Sequence, residues 1–130
     1  MLQTHIVTEE ADNRADLLRV RSEKCGDAVV VHVVGELDLV SAPVLDELLI
    51  EAEAEAGSAP APLVLDLTGV TFMASAGLAL LMKHDERCAA AGRALRVVAN
   101  GSAVLRPIAL TGLKTVVTVM GTLADALEEK

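Results

Sequence analysis

The sequence predicts an α/β fold: a single-layer, mixed and largely parallel sheet that is packed by helices and begins with an N-terminal hairpin. From residue 28 onward, short apolar segments typical of strands alternate with segments of helical periodicity. Strands that are joined by helices pair in parallel, because the connection has to cross the sheet. Before that alternation, the turn signal "CGD" at 25–27 separates two strand-like runs and indicates an antiparallel hairpin.

The length and composition indicate one globular domain. The chain has 130 residues, of which 52% are hydrophobic, and a chain of this size buries roughly two thirds of its unfolded surface. Residues 1–15 are polar, mixed in charge and without a sustained period, so we expect a loose tail or a weak edge strand there. We place the folded domain at 16–130.

Several functional classes are disfavoured by the composition. The net charge is −8 and Phe72 is the sole aromatic residue, so neither phosphate contacts nor base stacking favours nucleic acid as a partner. No apolar run approaches the roughly 18 residues of a membrane span, and the N-terminus does not resemble a secretory signal. Cys25 and Cys88 are far apart in sequence, which predicts reduced thiols and a cytoplasmic location.

The first half of the predicted domain contains a buried strand and an amphipathic helix. The run "AVVVHVV" (28–34), bounded by Gly35, predicts the strand. Ser41 is a suitable N-cap for a helix over 43–56, with Pro43 in its first turn. The leucines of this helix are expected to face the core and its glutamates to face solvent: Leu45, Leu48 and Leu49, against Glu51, Glu53 and Glu55. A loop follows at 57–62.

The second half repeats the strand–helix pattern. Predicted strands lie at 63–67, 94–99 and 115–119, a strand-like run lies at 70–73, and predicted helices lie at 75–91 and at 122–129, the last capped by Thr122. The segment 103–113 is a short helical or irregular crossover. On the helix after Ser75, Leu81, Met82 and Cys88 are expected on the buried face, where Asp85 is out of place.

Ser75 stands between a strand and a helix in "VTFMASAGLALLM" (70–82), flanked by small side chains. One interpretation is a helix N-cap, which contributes about 1 kcal/mol. A second interpretation is a catalytic nucleophile, but the G-x-S-x-G elbow is absent because Met73 occupies the place of its first glycine. Its candidate bases are His5, His32 and His84, the last roughly 13 Å along the helix. A phosphoacceptor is the third interpretation, since a helix N-terminus tolerates a phosphate.

No cofactor or metal site is indicated. His32, His84 and Cys88 do not have the spacing of metal ligands, and no Gly-rich phosphate loop is present.

Two long segments resemble a known family. "VVVHVVGELDLVSAPVLDELL" and "LVLDLTGVTFMASAGLALLM", followed by "GRALRVVANGSAVLRPIALTGL" and "TVVTVMGTLADAL", are similar to the STAS domain of bacterial anti-sigma factor antagonists over roughly residues 17–127. The resemblance implies a sheet packed by helices and a regulatory protein without enzymatic activity. Its implied partners are an anti-sigma factor that is itself a serine kinase of the histidine-kinase-like ATPase fold, and a serine phosphatase that resets the cycle.

The same resemblance implies which residues carry the function. The phosphoacceptor of the family falls on Ser75. We expect the partner surface to comprise Glu36, Asp38, Ser41, Ala74, Ser75, Ala76, Gly77 and Leu78. Asp38 is expected near Ser75, because both follow neighbouring strands; capping the turn before the helix is its alternative role.

The chain departs from the family at two positions. The family often has Asp-Ser-Ser-Gly or Asp-Ser-Thr-Gly where this chain has Ala74-Ser75-Ala76-Gly77. Two alternative functions therefore stay open. One is an adaptor that binds another kinase or sensor without being phosphorylated, and the other is a module that holds a nucleotide or anion at the helix N-terminus.

Overall fold

The computed structural model describes residues 2–9, 14–57 and 61–128, with side chains described at 18–57 and 61–128. Six strands and four α-helices follow one another in this part of the chain: β1 (Leu2–Glu9), β2 (Arg14–Cys25), β3 (Ala28–Leu37), α1 (Ala42–Ala56), β4 (Leu63–Met73), α2 (Ser75–Ala90), β5 (Leu95–Val98), α3 (Ser102–Thr111), β6 (Thr118–Met120) and α4 (Leu123–Leu127). A 3-10 helix, Leu113–Thr115, precedes β6.

The strands form one sheet in the order β1-β2-β3-β4-β5-β6. The pairs β1/β2 and β2/β3 are antiparallel, and β3, β4, β5 and β6 pair in parallel. Of the two expectations for the N-terminal residues, the strand is observed, as β1. The turn between β2 and β3 contains Gly26 with a φ of 63°, which glycine adopts without strain. The predicted fold class is confirmed.

The two faces of the sheet are covered unequally. Each parallel strand is added on the same side of its predecessor by a right-handed connection, which places α1, α2 and α3 on one face. There Leu45, Leu81 and Ile108 from these three helices join the main core. On the opposite face, α4 contributes Ala126 to a smaller cluster with Val30, Val64 and Val98.

Strands β3 and β4 are longer than predicted, because β-bulges let their pairing continue beyond the residues where the sequence predicted the strands to end. The register between them shifts from His32 to Val34 and again from Gly35 to Glu36. Gly35 has a φ of 121°, and a Cβ on Gly69 would lie 2.7 Å from Cγ2 of Val34. The predicted ends at Gly35 and residue 67 were therefore wrong: both strands continue, and they finish side by side at Leu37 and Met73.

The C-terminal part also differs from the prediction at one strand. Residues 115–117 belong to the 3-10 helix and the turn after it, so β6 begins at Thr118. The helices α1 and α2 match their predicted ranges, and 103–113 is mostly helical. Thr122 caps α4, its hydroxyl oxygen accepting from the backbone N–H of Asp125 at 3.1 Å, as predicted. Part of the predicted loop 57–62 lies outside the described residues. The last helix was predicted to reach residue 129, but it ends at Leu127, and Glu128 is extended.

None of the helices within the described ranges has the length and hydrophobicity to span a bilayer.

Candidate functional site

Ser75 lies at the carboxyl edge of the parallel strands, as the first residue of α2. The chain leaves β4 at Met73, and the N–H of Ala74 donates to the carbonyl of Leu37 at 2.9 Å. Ala74 occupies the N-cap position in an extended conformation (φ −88°, ψ 175°) and provides no side-chain cap. The N-cap interpretation of Ser75 was therefore wrong. Its side chain is exposed, and within the described residues its hydroxyl has no hydrogen-bond partner.

The first turn of α2 is held close to the sheet by Gly77. This residue is buried, while Ala76 and Leu78 are half-buried. A Cβ on Gly77 would lie 3.0 Å from Cγ and Cδ2 of Leu37 and 3.1 Å from Cγ of Met73. The absence of a side chain thus sets the depth at which the helix, and with it Ser75, is seated.

The turn between β3 and α1 runs beside Ala74 and is organised by Asp38. The Oδ1 atom of Asp38 accepts from the backbone N–H groups of Val40 and Ser41, both at 3.0 Å. Ser41 is buried, and its hydroxyl donates to the carbonyl of Glu36 at 2.9 Å and accepts from the N–H of Asp38 at 3.0 Å. Ser41 stands at the N-cap position of α1, but makes no side-chain cap there. Its predicted capping role was wrong, because the hydroxyl faces back into the turn.

The predicted site residues lie at the end of β3 or follow β3 and β4, and Glu36 differs from the others in the face that its side chain occupies. Leu37 faces the helices of the main core, so its neighbour Glu36 faces the opposite side of the sheet. The side chain of Glu36 therefore lies on the face opposite the main core, and its carbonyl accepts from the Ser41 hydroxyl in the turn.

Three exposed apolar side chains near this edge were not predicted. Leu39 and Val40 in the turn are 77% and 45% exposed, and Met82 on α2 is 44% exposed. Met82 was expected in the core. The buried face of α2 instead comprises Gly77, Leu80, Leu81, His84 and Cys88, which turns Met82 onto the same face as Ser75, two turns away. The sequence signal that could have identified Leu39 and Val40 is the presence of two bulky apolar residues next to each other in a short turn.

The electrostatics of the α2 N-terminus favour negative charge. The first turn of the helix contains no acidic residue, and no side chain caps it. Its backbone N–H groups and the helix dipole therefore present partial positive charge that is not offset locally.

His84 is fully buried between α1 and α2, an arrangement that the sequence did not reveal. Its Nδ1 lies 2.6 Å from Oε2 of Glu53, and its Nε2 lies 2.7 Å from Oδ1 of Asp46. Lys83 and Arg87 pair with the same two carboxylates, at 2.9 Å and 3.0 Å. We call these five residues the His84 network. Glu53 was expected to face solvent, but it is half-buried because its carboxylate contacts the buried ring of His84.

A second histidine joins three strands on the face opposite α1, α2 and α3. Nε2 of His32 lies 2.7 Å from Oε2 of Glu23, and Nδ1 lies 2.7 Å from Oδ2 of Asp66. Asp66 also accepts from the N–H and the hydroxyl of Thr68. Burial opposes ionisation of Asp66, but these hydrogen bonds outweigh it and lower its pKa.

The two networks bear on the nucleophile interpretation of Ser75. A histidine acts as a general base through a free ring nitrogen, and all four ring nitrogens of His32 and His84 face carboxylates. Neither histidine is available to activate Ser75, and the side chain of His5, the third candidate base, lies outside the described residues. Among the residues whose structure is described, no group of three or more His, Cys, Asp or Glu side chains could hold a metal ion.

Comparisons with known proteins agree with this arrangement. The family model of the STAS domain matches residues 19–126. The anti-sigma-F factor antagonist RsfB of Mycobacterium tuberculosis is 39% identical over 100 residues, which cover 75% of this chain and 77% of RsfB. RsfA of the same organism, also named an anti-sigma-F factor antagonist, is 34% identical over 113 residues, covering 87% and 88% of the two chains.

Solved structures show the same similarity. The crystal structure of an anti-sigma factor antagonist from Mycobacterium paratuberculosis superimposes with a TM-score of 0.76 at 39% identity, covering 85% of this chain and 91% of the other. The anti-sigma factor antagonist SpoIIAA in its unphosphorylated form has a TM-score of 0.67 at 18% identity, covering 82% and 91%; at that identity it supports the fold alone. This chain therefore belongs to the STAS domain family, and its similar relatives there are anti-sigma factor antagonists.

Proposed function

We propose that this protein is an anti-sigma factor antagonist whose binding is switched off by phosphorylation of Ser75. The partner is an anti-sigma factor with serine kinase activity and a histidine-kinase-like ATPase fold; its capture frees a sigma factor in the bacterial cytoplasm. A serine phosphatase reverses the modification. The chain itself performs no catalysis in this cycle.

The accessibility of Ser75 carries the proposal. Its hydroxyl is exposed at the start of a helix, next to small side chains that leave room for a kinase cleft. Leu39, Val40 and Met82 provide exposed apolar surface nearby, and such surface is what a partner buries. A modifiable hydroxyl and a docking surface thus occupy one edge of the sheet.

Phosphorylation at this position opposes binding more than it disturbs the fold. A phosphate adds about −2 charge, which the uncapped N-terminus of α2 stabilises by about 0.3–1 kcal/mol. Within a partner interface the same charge must be desolvated and opposes nearby acidic groups. We expect a loss of about 2–4 kcal/mol, or 30- to 1000-fold in affinity.

Ala74 affects how a phosphate on Ser75 would be bound. The carboxylate that the family often has at this position would compete with a phosphate for the first N–H groups of the helix. Ala74 leaves these groups without a side-chain cap. We therefore expect phosphorylated Ser75 to place its phosphate on them.

The first test is direct phosphorylation. The full chain is incubated with ATP and each candidate kinase of its source bacterium, followed by intact mass and peptide mapping. The expected result is one added phosphate on the peptide that contains Ser75, which is lost in Ser75→Ala. A stable complex without added mass would instead support the adaptor function, and stabilisation by nucleotides alone would support a ligand-binding module.

The second test measures affinity for the kinase that is found. Ser75→Asp should weaken binding by at least 30-fold, while Ser75→Ala should bind like the unmodified chain. Ser102 is a matched control, because it is also exposed and also begins a helix, after Gly101 in an extended conformation. Ser102→Asp should bind normally. Equal affinities for Ser75→Asp and Ser75→Ala would refute the switch.

A further inference from the structure

A cavity of about 330 Å³ lies between α3 and the edge strand β6, and Ser75 is not among the residues that line it. Its principal lining residues come from three elements: Leu105, Ile108 and Ala109 of α3, Lys114 of the 3-10 helix, and Val119 and Met120 of β6. Sites for small molecules span about 300–1,000 Å³, whereas a void left by one deleted large side chain is near 150 Å³. The space is therefore large enough for a ligand.

The position of the cavity suits ligand binding. It adjoins Ala99 and Gly121, which directly follow β5 and β6, so it lies at the carboxyl ends of parallel strands. Ligands of open α/β sheets bind at this edge. Ala109 and Leu105 are exposed and Met120 is half-buried, so the cavity opens to solvent and a ligand can enter without unfolding the chain.

The chemistry of the lining selects an apolar molecule with one negative group. The side chains that line the cavity are aliphatic or methionine, except that of Lys114. No carboxylate lines it, although the chain has a net charge of −8. Within the described residues the Lys114 ammonium has no ion pair, so it is available to a ligand.

A peptide partner fits this edge less well than a small molecule. Strand addition needs an edge of several residues with free backbone groups, and β6 has only three residues. The cavity lies between side chains of α3 and β6 and is open to solvent, which suits a compact ligand better than an extended segment.

We propose that this cavity is a binding site for a small amphipathic anion, of the class of medium-chain carboxylates. The apolar body lies against Ile108, Leu105 and Val119, and the carboxylate meets Lys114. This inference does not depend on phosphorylation of Ser75.

The experiment titrates the full, isotopically labelled chain with decanoate and follows amide resonances by NMR. Saturable shifts are expected at Leu105, Val119 and Met120. Decanol serves as the neutral probe of equal length and acetate as the head group alone. Decanoate should bind at least about tenfold more tightly than decanol, through its charge-assisted contact.

Two variants with matched controls locate the binding. Ala109→Phe fills the mouth of the cavity and should weaken decanoate at least tenfold, whereas Leu110→Phe, at an exposed neighbour outside the lining, should not. Lys114→Gln should weaken decanoate about tenfold and leave decanol unchanged; Lys24→Gln, at an exposed lysine of β2, is its control. Lys114→Gln alters one exposed side chain, so it remains informative if Ala109→Phe perturbs the fold.

Three results would overturn the proposal. The first is the absence of saturable shifts at millimolar decanoate. The second is binding that Ala109→Phe and Leu110→Phe affect equally, which would indicate adsorption to exposed leucines. The third is equal affinity for decanol and decanoate, which would show that Lys114 does not recognise the negative group of the ligand.

Discussion

Gly77 and Ser75 show how neighbouring residues in one turn perform different tasks. Ser75 faces outward with an unengaged hydroxyl, while Gly77 faces the sheet, where Leu37 and Met73 leave no room for a side chain. The exposed position can change charge without disturbing the core. The buried position determines where the exposed one stands.

The substitution Gly77→Ala should therefore destabilise the protein. Its Cβ would contact Leu37 at 3.0 Å, and Leu37 is fully buried and cannot move aside easily. Overpacking costs about 1–3 kcal/mol, which exceeds the gain of up to about 1 kcal/mol in helix propensity. Chemical denaturation should show a net loss of about 1 kcal/mol.

Gly121→Ala is the control for that substitution, because a Cβ at Gly121 meets no atom within 4 Å. Its stability should stay within about 0.5 kcal/mol of the unmodified chain. A Gly77→Ala variant as stable as Gly121→Ala would contradict the close packing of α2 on the sheet.

At the scale of elements, α1 and α2 are joined by charge as well as by apolar packing. Between their leucines lies His84, with no exposed surface and a carboxylate at each ring nitrogen. Each ring nitrogen of His84 therefore has a carboxylate oxygen within hydrogen-bond distance. The network fixes the relative position of the helix that begins at Ser75 and the helix that follows the Asp38 turn.

Replacing His84 should loosen this pair of helices. His84→Gln leaves Asp46 and Glu53 short of a donor while their side chains remain only 21% and 13% exposed. Leaving a buried polar group without its hydrogen-bond partner costs about 1–3 kcal/mol, and more for a charged group. Because two partly exposed carboxylates are affected, we expect a loss of about 2–3 kcal/mol. Denaturation at neutral pH measures it.

Lys83→Gln tests whether burial is the cause. Lys83 contacts the same Asp46, but its side chain is 50% exposed, and exposed ion pairs contribute about 0–1 kcal/mol. Losses of equal size for Lys83→Gln and His84→Gln would show that the buried position of the histidine is not decisive.

At the scale of the whole molecule, two carboxylates in separate networks contribute to the loss of stability in acid. Burial opposes the ionisation of Asp46, but hydrogen bonds from Lys83 and His84 prevail and lower its pKa; the pKa of Asp66 is lowered as described above. The unfolded chain, with aspartate near about 3.9, binds more protons than the folded one in this range. Stability is therefore fully present above about pH 5 and is lost as pH falls through the lowered folded values.

The acid limb of the stability–pH curve should become shallower in Asp46→Asn and in Asp66→Asn. Each residue changes the slope by at most about 1.4 kcal/mol per pH unit, and the two effects should add because the networks lie on opposite faces of the sheet. Denaturant titrations from pH 3 to 7 measure the slope. Asp27→Asn, in the exposed hairpin turn, should leave it unchanged, and three identical slopes would contradict this account.

The sequence by itself determined the features that depend on local pattern. Alternating strand and helix periodicity predicted the mixed sheet, the turn at Gly26 predicted a hairpin, and Thr122 predicted the start of α4. Position in the chain also placed Ser75 next to a helix start. These features depend on residues that are close together in sequence, so the sequence alone is enough to predict them.

Only the tertiary structure decided the features that depend on partners distant in sequence. His84 is buried because carboxylates 31 and 38 residues away in sequence contact both of its ring nitrogens. Met82 is exposed on the other side of the same helix, although its hydrophobicity alone predicts burial. The bulges that extend β3 and β4 likewise depend on cross-strand contacts. A polar group can be buried only when a partner meets it, and that partner is supplied by the fold.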